Sequence, residues 1–490
     1  MPKTTEAFNK YYGSISSSFC DYNHDNEVFM KTTGVRTALA LAANTFFDNP
    51  FKPRDPQSNF NNCAFELGYF ALGMNILALG AWILNDAKKR SLDTLAFLAR
   101  DGYIPYVATQ IINENVSIYP KLNIKYIYTS RRATMPITLK EGIDFYSAAT
   151  YLNWYWTTPK SVLSQLDDVI DINKFSEAAF EKRFNQKIDE RFSSYDSFLD
   201  FLEYVKDNLY SFEKYNCYLE ITKEYYRSEL SEKAGVFDIG YSAKPELLFS
   251  YLLGRNIVTY FIHANSSEAY ERNRCSGNEL ELFYDFKPTV TGVLRELLYS
   301  STGASCKGYV KDGDTIRPVF SEKGYIDSYS LDVITSMHTG AKRFVKQYTK
   351  LFSKYFDTFD YNKYYMSIPL EYYLQYSLDN DRLMFKNLQF DDNEDKVFNI
   401  LDFLKETERR YNRFYNLRRT DRKESVGIVD LPIEKRKRLL YYLIFDRKTM
   451  HEKFIDKFND MSESPSSFRR FCYCIAKDRK RLFRALKNSL

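Results

Sequence analysis

LAFLARDGYIPY at Leu95–Tyr106 and AGVFDIGYSAKPE at Ala234–Glu246 decide the fold. Each runs from an apolar stretch into a short turn of charged and small residues and then into an amphipathic run, the succession of strand, turn and helix found in α/β proteins. A turn at the carboxyl end of a parallel strand points backbone N–H groups at a ligand, and the helix that follows adds the positive end of its dipole. Two such turns in one chain predict one ligand with two phosphate-bearing ends.

Outward from these turns, Thr94–Ala99 reads as strand, Tyr103–Asn113 as helix, and Ile124–Thr129 as a strand ending at Ser130-Arg131-Arg132. That order implies a right-handed parallel unit. From about Leu139 to Leu230 the apolar spacing is helical, with Pro159 opening one helix, so a helical insertion is expected there. Val236–Asp238 and Ile257–His263 then read as short buried strands on either side of a helix over Pro245–Leu253, and the sheet resumes. CKGYVKDGDTIRPVF at Cys306–Phe320 alternates around Asp312-Gly313 and reads as a hairpin; its Asp-Gly-Asp also matches a metal motif of sugar-nucleotide transferases. Residues 325–490 read as helical throughout, without a repeat of fixed period. The expected organisation is an N-terminal arm over 1–60 broken by Pro50, Pro53 and Pro56, an α/β domain over 61–325 with its insertion at about 139–230, and a helical domain over 326–490.

The length of 490 residues suits about two or three units rather than one core. With 44% hydrophobic residues the chain has ample material for packed interiors. Its 41 Tyr against 18 Gly fit either an AT-rich bacterial coding bias or a surface that stacks on sugars or bases. Seven cysteines, an odd number, fit a reducing compartment better than a disulfide framework, and Cys472-Tyr-Cys474 is too tightly spaced for a zinc knuckle. The opening Met1-Pro-Lys-Thr-Thr5 holds no apolar core or cleavage signal, so the expected compartment is the cytoplasm. LGYFALGMNILALGAWIL at Leu67–Leu84 is free of charge over 18 residues and admits two readings, a buried helix or a membrane span. Glu66, the central Asn75 and the glycines at 68, 73 and 80 speak for burial.

The net charge of +5 is unevenly placed. RRYNRFYNLRRTDRK at Arg409–Lys423 carries seven basic residues among aromatics, and the stretch from Arg469 to Leu490 carries eight. Such runs bind nucleic acid, anionic lipid or polyanionic glycans, or form a solvated face balanced by acids such as Asp391–Asp395. No nucleic-acid-binding motif is present, so no nucleic-acid partner is expected. The final helix either docks onto the protein or makes a peripheral contact with the inner face of the membrane.

FLARDGY at 97–103, YIYTSRRA at 126–133 and FDIGYS at 237–242 together resemble a domain of bacterial surface-polysaccharide clusters, over roughly residues 60–325 and including Glu296–Tyr309. The same layout resembles type I phosphoribosyltransferases, with a parallel-sheet, Rossmann-like core. The resemblance implies that Ala99, Arg100, Asp101, Gly102 and Tyr103 hold the pyrophosphate of phosphoribosyl pyrophosphate. It implies that Asp238, Gly240, Tyr241, Ser242 and Lys244 hold the 5-phosphate end. The resemblance further implies transfer of ribofuranose 5-phosphate onto a glycan, free or lipid-linked, with a separate phosphatase that then removes the phosphate. Capsule or O-antigen assembly is the implied setting.

One departure concerns the acid pair that precedes the 5-phosphate loop in salvage enzymes, because here Asp238 is followed by Ile239. The general base is therefore open among Asp101, Asp238, Glu246 and Glu296. Magnesium as cofactor, Arg100 and Arg131 or Arg132 would stabilise the leaving pyrophosphate, Ser130 would line the same turn, and attack from the opposite face would give a β-ribofuranoside. Each residue also has a structural reading: Arg100 paired with Asp101, Arg131 and Arg132 paired with acids such as Glu66, Asp238 as a helix cap, Trp154 and Trp156 as packing. Two rival functions stay open: a haloacid-dehalogenase-like phosphatase with Asp101 as nucleophile, for which Tyr103 stands where a second carboxylate is needed, and a non-catalytic scaffold of a polysaccharide assembly complex.

Overall fold

The computed structural model describes residues 26–399, apart from 48, 50, 140–156, 242, 265–267, 285–291, 322–327, 377 and 394–395. The chain is α/β, and its centre is a five-stranded parallel sheet. Helix α1 covers Asn26–Phe46 and α2 covers Ala64–Arg90, the latter with one wider turn at Gly68–Leu72. Strand β1 (Thr94–Leu98), helix α3 (Tyr103–Asn115) and strand β2 (Asn123–Ile127) follow. Between the short helix α4 (Arg131–Thr134) and β3, the described residues hold the helices α5 (Pro159–Leu166), α6 (Glu177–Phe184), α7 (Tyr195–Asn208) and α8 (Phe212–Glu229). The sheet resumes with β3 (Ala234–Asp238), α9 (Lys244–Leu253), β4 (Val258–Phe261), α10 (Glu268–Ser276) and β5 (Glu279–Leu282). Helix α11 (Gly292–Tyr299) leads to the hairpin β6 (Cys306–Asp312) and β7 (Thr315–Phe320), then to α12 (Ser328–Phe352) and α13 (Lys363–Tyr376).

Alternation along the strands assigns the two faces of the sheet. Ala96, Leu98 and Val236 join one apolar cluster with Val162 and Leu166 of α5, Phe198 and Phe201 of α7, and Phe249 of α9. The insertion therefore shares a core with the sheet. On the opposite face Phe97 packs against Phe237 and Tyr106, and Tyr260 packs against Trp82 of α2.

Over Leu67–Leu84 helix α2 is apolar around its circumference because neighbours cover it: α3, α12 and α13 all contact the helix. Almost all of its most apolar window lies inside the protein. A Cβ on Gly68 would overlap the backbone of Met337, and one on Gly340 would overlap Phe65, so two helix backbones meet here at small residues. Asn75, at its centre, donates to Tyr284 Oη at 3.0 Å and Ser367 Oγ at 2.9 Å, and accepts from Tyr299. A buried amide is tolerated only when so satisfied.

Two details differ from the expectations, and a third, the turn of the β6–β7 hairpin, agrees with them. Helix α12 packs along α2, and the compact unit that contains both runs to Leu401, far past residue 325. Within 326–399 the chain is not helical throughout: Gln389–Asn393 and Lys396–Asn399 pair as an antiparallel hairpin, because QFDDN and KVFN carry aromatic and β-branched residues suited to paired strands. Asp312-Gly313-Asp314 closes the β6–β7 hairpin, with Gly313 at φ +61° and Asp312 bound to Arg317 Nε at 2.9 Å. The basic runs after Arg409 and the final helix lie outside the described residues.

Candidate functional site

Strands β1 and β3 are neighbours and parallel, with Phe97 opposite Phe237, so both turns leave the same carboxyl edge side by side. The order 2-1-3-4-5 reverses direction between these two strands, and α/β sheets hold ligands outside the carboxyl ends at such a switch point.

The first turn is Ala99–Gly102. The Ala99 N–H donates to the Ile127 carbonyl at 2.9 Å and the Gly102 N–H to the Leu98 carbonyl at 2.8 Å, folding the turn back on its strand. A Cβ on Gly102 would press on Leu98. Residues after α11 brace the turn from outside: the Ser301 N–H donates to the Arg100 carbonyl at 3.0 Å, and Ser300 Oγ donates to the Asp101 carboxylate. Asp101 is part-exposed, yet burial raises its pKa, opposed by Ser300 and by the charges of Arg100 and Arg131. Asp101 thus takes its hydrogen bond from Ser300, and Arg100 acts on it as a nearby charge. Tyr103 opens α3 with its ring against Tyr126 and His338, at 5.9 and 5.6 Å.

The second turn is Asp238–Ala243. Asp238 ends β3 and accepts from the backbone N–H groups of Ile239 and Gly240. It is not a helix cap, since α9 begins after Ala243 without a side-chain cap. Burial and the Asp101 charge push its carboxyl up to about 7. Glu246, in the first turn of α9, is fully buried and faces the Asp238 carboxyl without a hydrogen bond of normal geometry, as neither of its oxygens has a hydrogen-bond partner. Burial, then the Asp238 charge, raises its pKa well above the carboxylate range. Three carboxyl groups in one field cannot all ionise at neutral pH. Gly240 has φ +113°, and a Cβ there would collide with the His263 carbonyl oxygen. The Ala99–Arg100 and Gly240–Tyr241 peptide bonds are both cis.

Tyr241 receives Arg295 Nη1 at 3.4 Å, and burial raises its pKa. Arg295 is wholly buried and forks onto Glu371, with Nε to Oε1 at 3.0 Å and Nη2 to Oε2 at 2.6 Å. Glu371 also accepts from Tyr284 Oη at 2.9 Å, which connects the second turn to Asn75 in α2. Glu296, beside Arg295 on α11, lies near enough to Tyr241 to raise its pKa further.

The third turn, after β2, supplies less than expected. Ser130 caps α4, accepting from the Ala133 N–H at 3.0 Å and donating to the Cys306 carbonyl at 2.5 Å. Arg132 is committed to the insertion, bound to Asp167 and to Asp168 at 3.0 Å. Glu66 instead binds Lys52 at 3.2 Å and Arg54 at 2.9 Å. That leaves Arg131, exposed at the start of α4, as the arginine of this pair beside Asp101. Ser242, Trp154, Trp156 and the Lys244 side chain lie outside the described residues. Ser300, Ser301, Arg295 and Glu371 were not singled out by sequence: the two serines fall inside the Glu296–Tyr309 stretch without a pattern of their own, and only spatial neighbours give the four a role.

Two outcomes follow from this geometry. Gly240→Ala is expected to destabilise the protein by about 1–3 kcal/mol, read as a lower urea midpoint, because the new Cβ meets both an unfavourable φ and a carbonyl. The carboxyl cluster gives the second. A carboxyl whose folded pKa is raised contributes stability that is complete below its unfolded pKa, near 4, and is lost as pH rises through the folded value. Melting temperature should therefore fall from pH 5 to pH 8 more steeply in the native protein than in Glu246→Gln. Equal slopes would mean that the cluster carries no such strain.

Compared with known proteins, the chain matches no family model and no curated sequence.

Proposed function

We propose that this chain is a phosphoribosyltransferase that moves ribofuranose 5-phosphate from phosphoribosyl pyrophosphate to a glycan hydroxyl, releasing pyrophosphate. The observation that carries the reading is the pair of turns on adjacent strands at the β1–β3 switch point, with Asp101 and Asp238 in each other's field. The donor has a phosphate-bearing group at each end, and two turns with backbone N–H groups and helix N-termini suit it.

In this reading the first turn, with Arg100 and Arg131, holds the pyrophosphate and takes up the charge that develops as it leaves. The second turn holds the 5-phosphate. Asp238, pushed up to about 7 by burial and the Asp101 charge, is the general base that takes the acceptor hydroxyl's proton. Attack opposite the departing pyrophosphate inverts the anomeric centre.

Among the described residues no group of three His, Cys, Asp or Glu side chains forms a metal cage. One carboxylate per turn suits magnesium that arrives on a diphosphate with its waters, and Asp101 is the side chain beside the pyrophosphate turn to contact it. Magnesium would neutralise charge on the diphosphate. The rival phosphatase reading needs an acid two residues after Asp101; Tyr103 occupies that position, with its ring packed on Tyr126.

Incubation of the purified chain with phosphoribosyl pyrophosphate, magnesium and a panel of glycan acceptors should release pyrophosphate in an acceptor-dependent manner. Release of inorganic phosphate from phosphorylated sugars instead would favour the phosphatase, and no turnover with bound donor would favour the scaffold.

A further inference from the structure

A ladder of aromatic rings leads away from the first turn. Tyr103 and Tyr106 of α3 meet Tyr126 at 5.9 and 5.6 Å, Tyr126 meets Tyr128 at 5.4 Å, and Tyr128 meets Phe320 at 5.0 Å. The inner end is tied to the turn, because Tyr126 Oη lies within hydrogen-bond reach of Ser301 Oγ at 3.0 Å and the Arg100 carbonyl oxygen at 3.4 Å. The outer end is open: Tyr128 is 37% exposed and Phe320 is 40% exposed. Their rings stand at 84° to one another, so they form a corner, not one flat patch.

This corner is held in place. The Tyr128 N–H contacts Tyr225 Oη at 3.1 Å, and the Tyr128 carbonyl accepts from Tyr309 Oη at 3.0 Å. Phe320 ends β7 opposite Cys306, and the next residue's N–H closes onto Ser305 at 3.0 Å. Covering exposed ring surface with a ligand is favourable, and rings already fixed in place lose little freedom on binding.

We infer that Tyr128 and Phe320 form the acceptor subsite, stacking on the C–H face of a pyranose ring whose hydroxyl points along the ladder to Asp101 and Asp238. A ring's π face is negative and the C–H groups of a sugar face are weakly positive, so the contact needs no charged partner. This assignment rests on the transfer reading above, of which it specifies the acceptor class. It also separates the two substrates: donor on the turns, acceptor on the rings.

Saturation-transfer NMR on the full chain with cellobiose, lactose and chitobiose tests it. The native protein should transfer magnetisation to C–H protons of one sugar face. Tyr128→Leu with Phe320→Leu should raise the dissociation constant of the bound disaccharide about tenfold, the equivalent of roughly 1.4 kcal/mol, with far-UV dichroism unchanged. Phe320→Leu alone, at the end of a hairpin strand, serves if the double variant does not fold. Calorimetry with phosphoribosyl pyrophosphate and magnesium should be indifferent to both substitutions. Failure of all three sugars to receive saturation, or equal transfer in folded native and substituted protein, would overturn the assignment. Sugar binding that depends on the rings in a protein that ignores the donor would keep the subsite and remove the donor reading.

Discussion

Asp238→Asn is expected to lower acceptor-dependent pyrophosphate release by about two orders of magnitude or more, as removal of a positioned general base does. The fold should survive, since an amide keeps an oxygen for the Ile239 and Gly240 N–H groups and removes one charge from the field of Asp101 and Glu246. The pH profile carries the sign. A base works deprotonated, so native activity should rise as pH passes about 7, the value to which burial and the Asp101 charge push Asp238. Asp101→Asn deletes the charge that raises Asp238 and should slide that rise, in whatever activity remains, to lower pH. Full activity in purified Asp238→Asn would remove Asp238 from the reaction. A rise that stays in place in Asp101→Asn would mean that Asp101 and Asp238 titrate independently.

Arg295→Ala should be the most destabilising of these substitutions, by about 3–5 kcal/mol, because it leaves Glu371 buried without its cation. The loss would be read as a drop in the guanidinium midpoint. A paired substitution, Arg295→Met with Glu371→Leu, should recover most of it, since removing both charges also removes their desolvation cost. The two changes are thus strongly non-additive. If Arg295→Ala and the pair were equally damaging, packing and not charge would account for the position. Tyr241 gives a second readout: with Arg295 gone its hydroxyl loses the Nη1 contact at 3.4 Å, and donor affinity should weaken in any variant that still folds.

The turns were legible because strand, turn and helix change periodicity within a few residues, at Leu98–Tyr103 and again at Asp238–Lys244. Sequence left Leu67–Leu84 open because length and hydropathy are the same for a membrane span and a core helix. What separates them is the set of partners of Asn75, all three more than two hundred residues away. Strand β5 was missed, since ELEL carries two glutamates; Arg90 binds both Glu279 and Glu281, which makes an acidic edge strand tolerable. The hairpin at 389–399 was missed because its strands are short and sit in charged sequence. Arg132 read as a ligand contact until Asp167 and Asp168, on the insertion, were seen to hold it. Side-chain partnerships between distant segments leave no local period to detect.

The insertion between β2 and β3 has a consequence for how the chain is made. Strand β1 pairs with β2 on one side and β3 on the other, but more than a hundred residues separate Leu98 from Ala234. At a ribosomal rate of ~5–20 residues per second, the inner edge of β1 waits on the order of ten seconds for its partner. An apolar TLAFL edge left open that long is a template for pairing with a neighbouring nascent chain. Helices of the insertion emerge during that interval and contribute to the same apolar cluster as Ala96 and Leu98, so they can cover one face of β1 before β3 exists. Shortening the insertion would then lower the soluble yield of the protein before it altered any contact at the two turns.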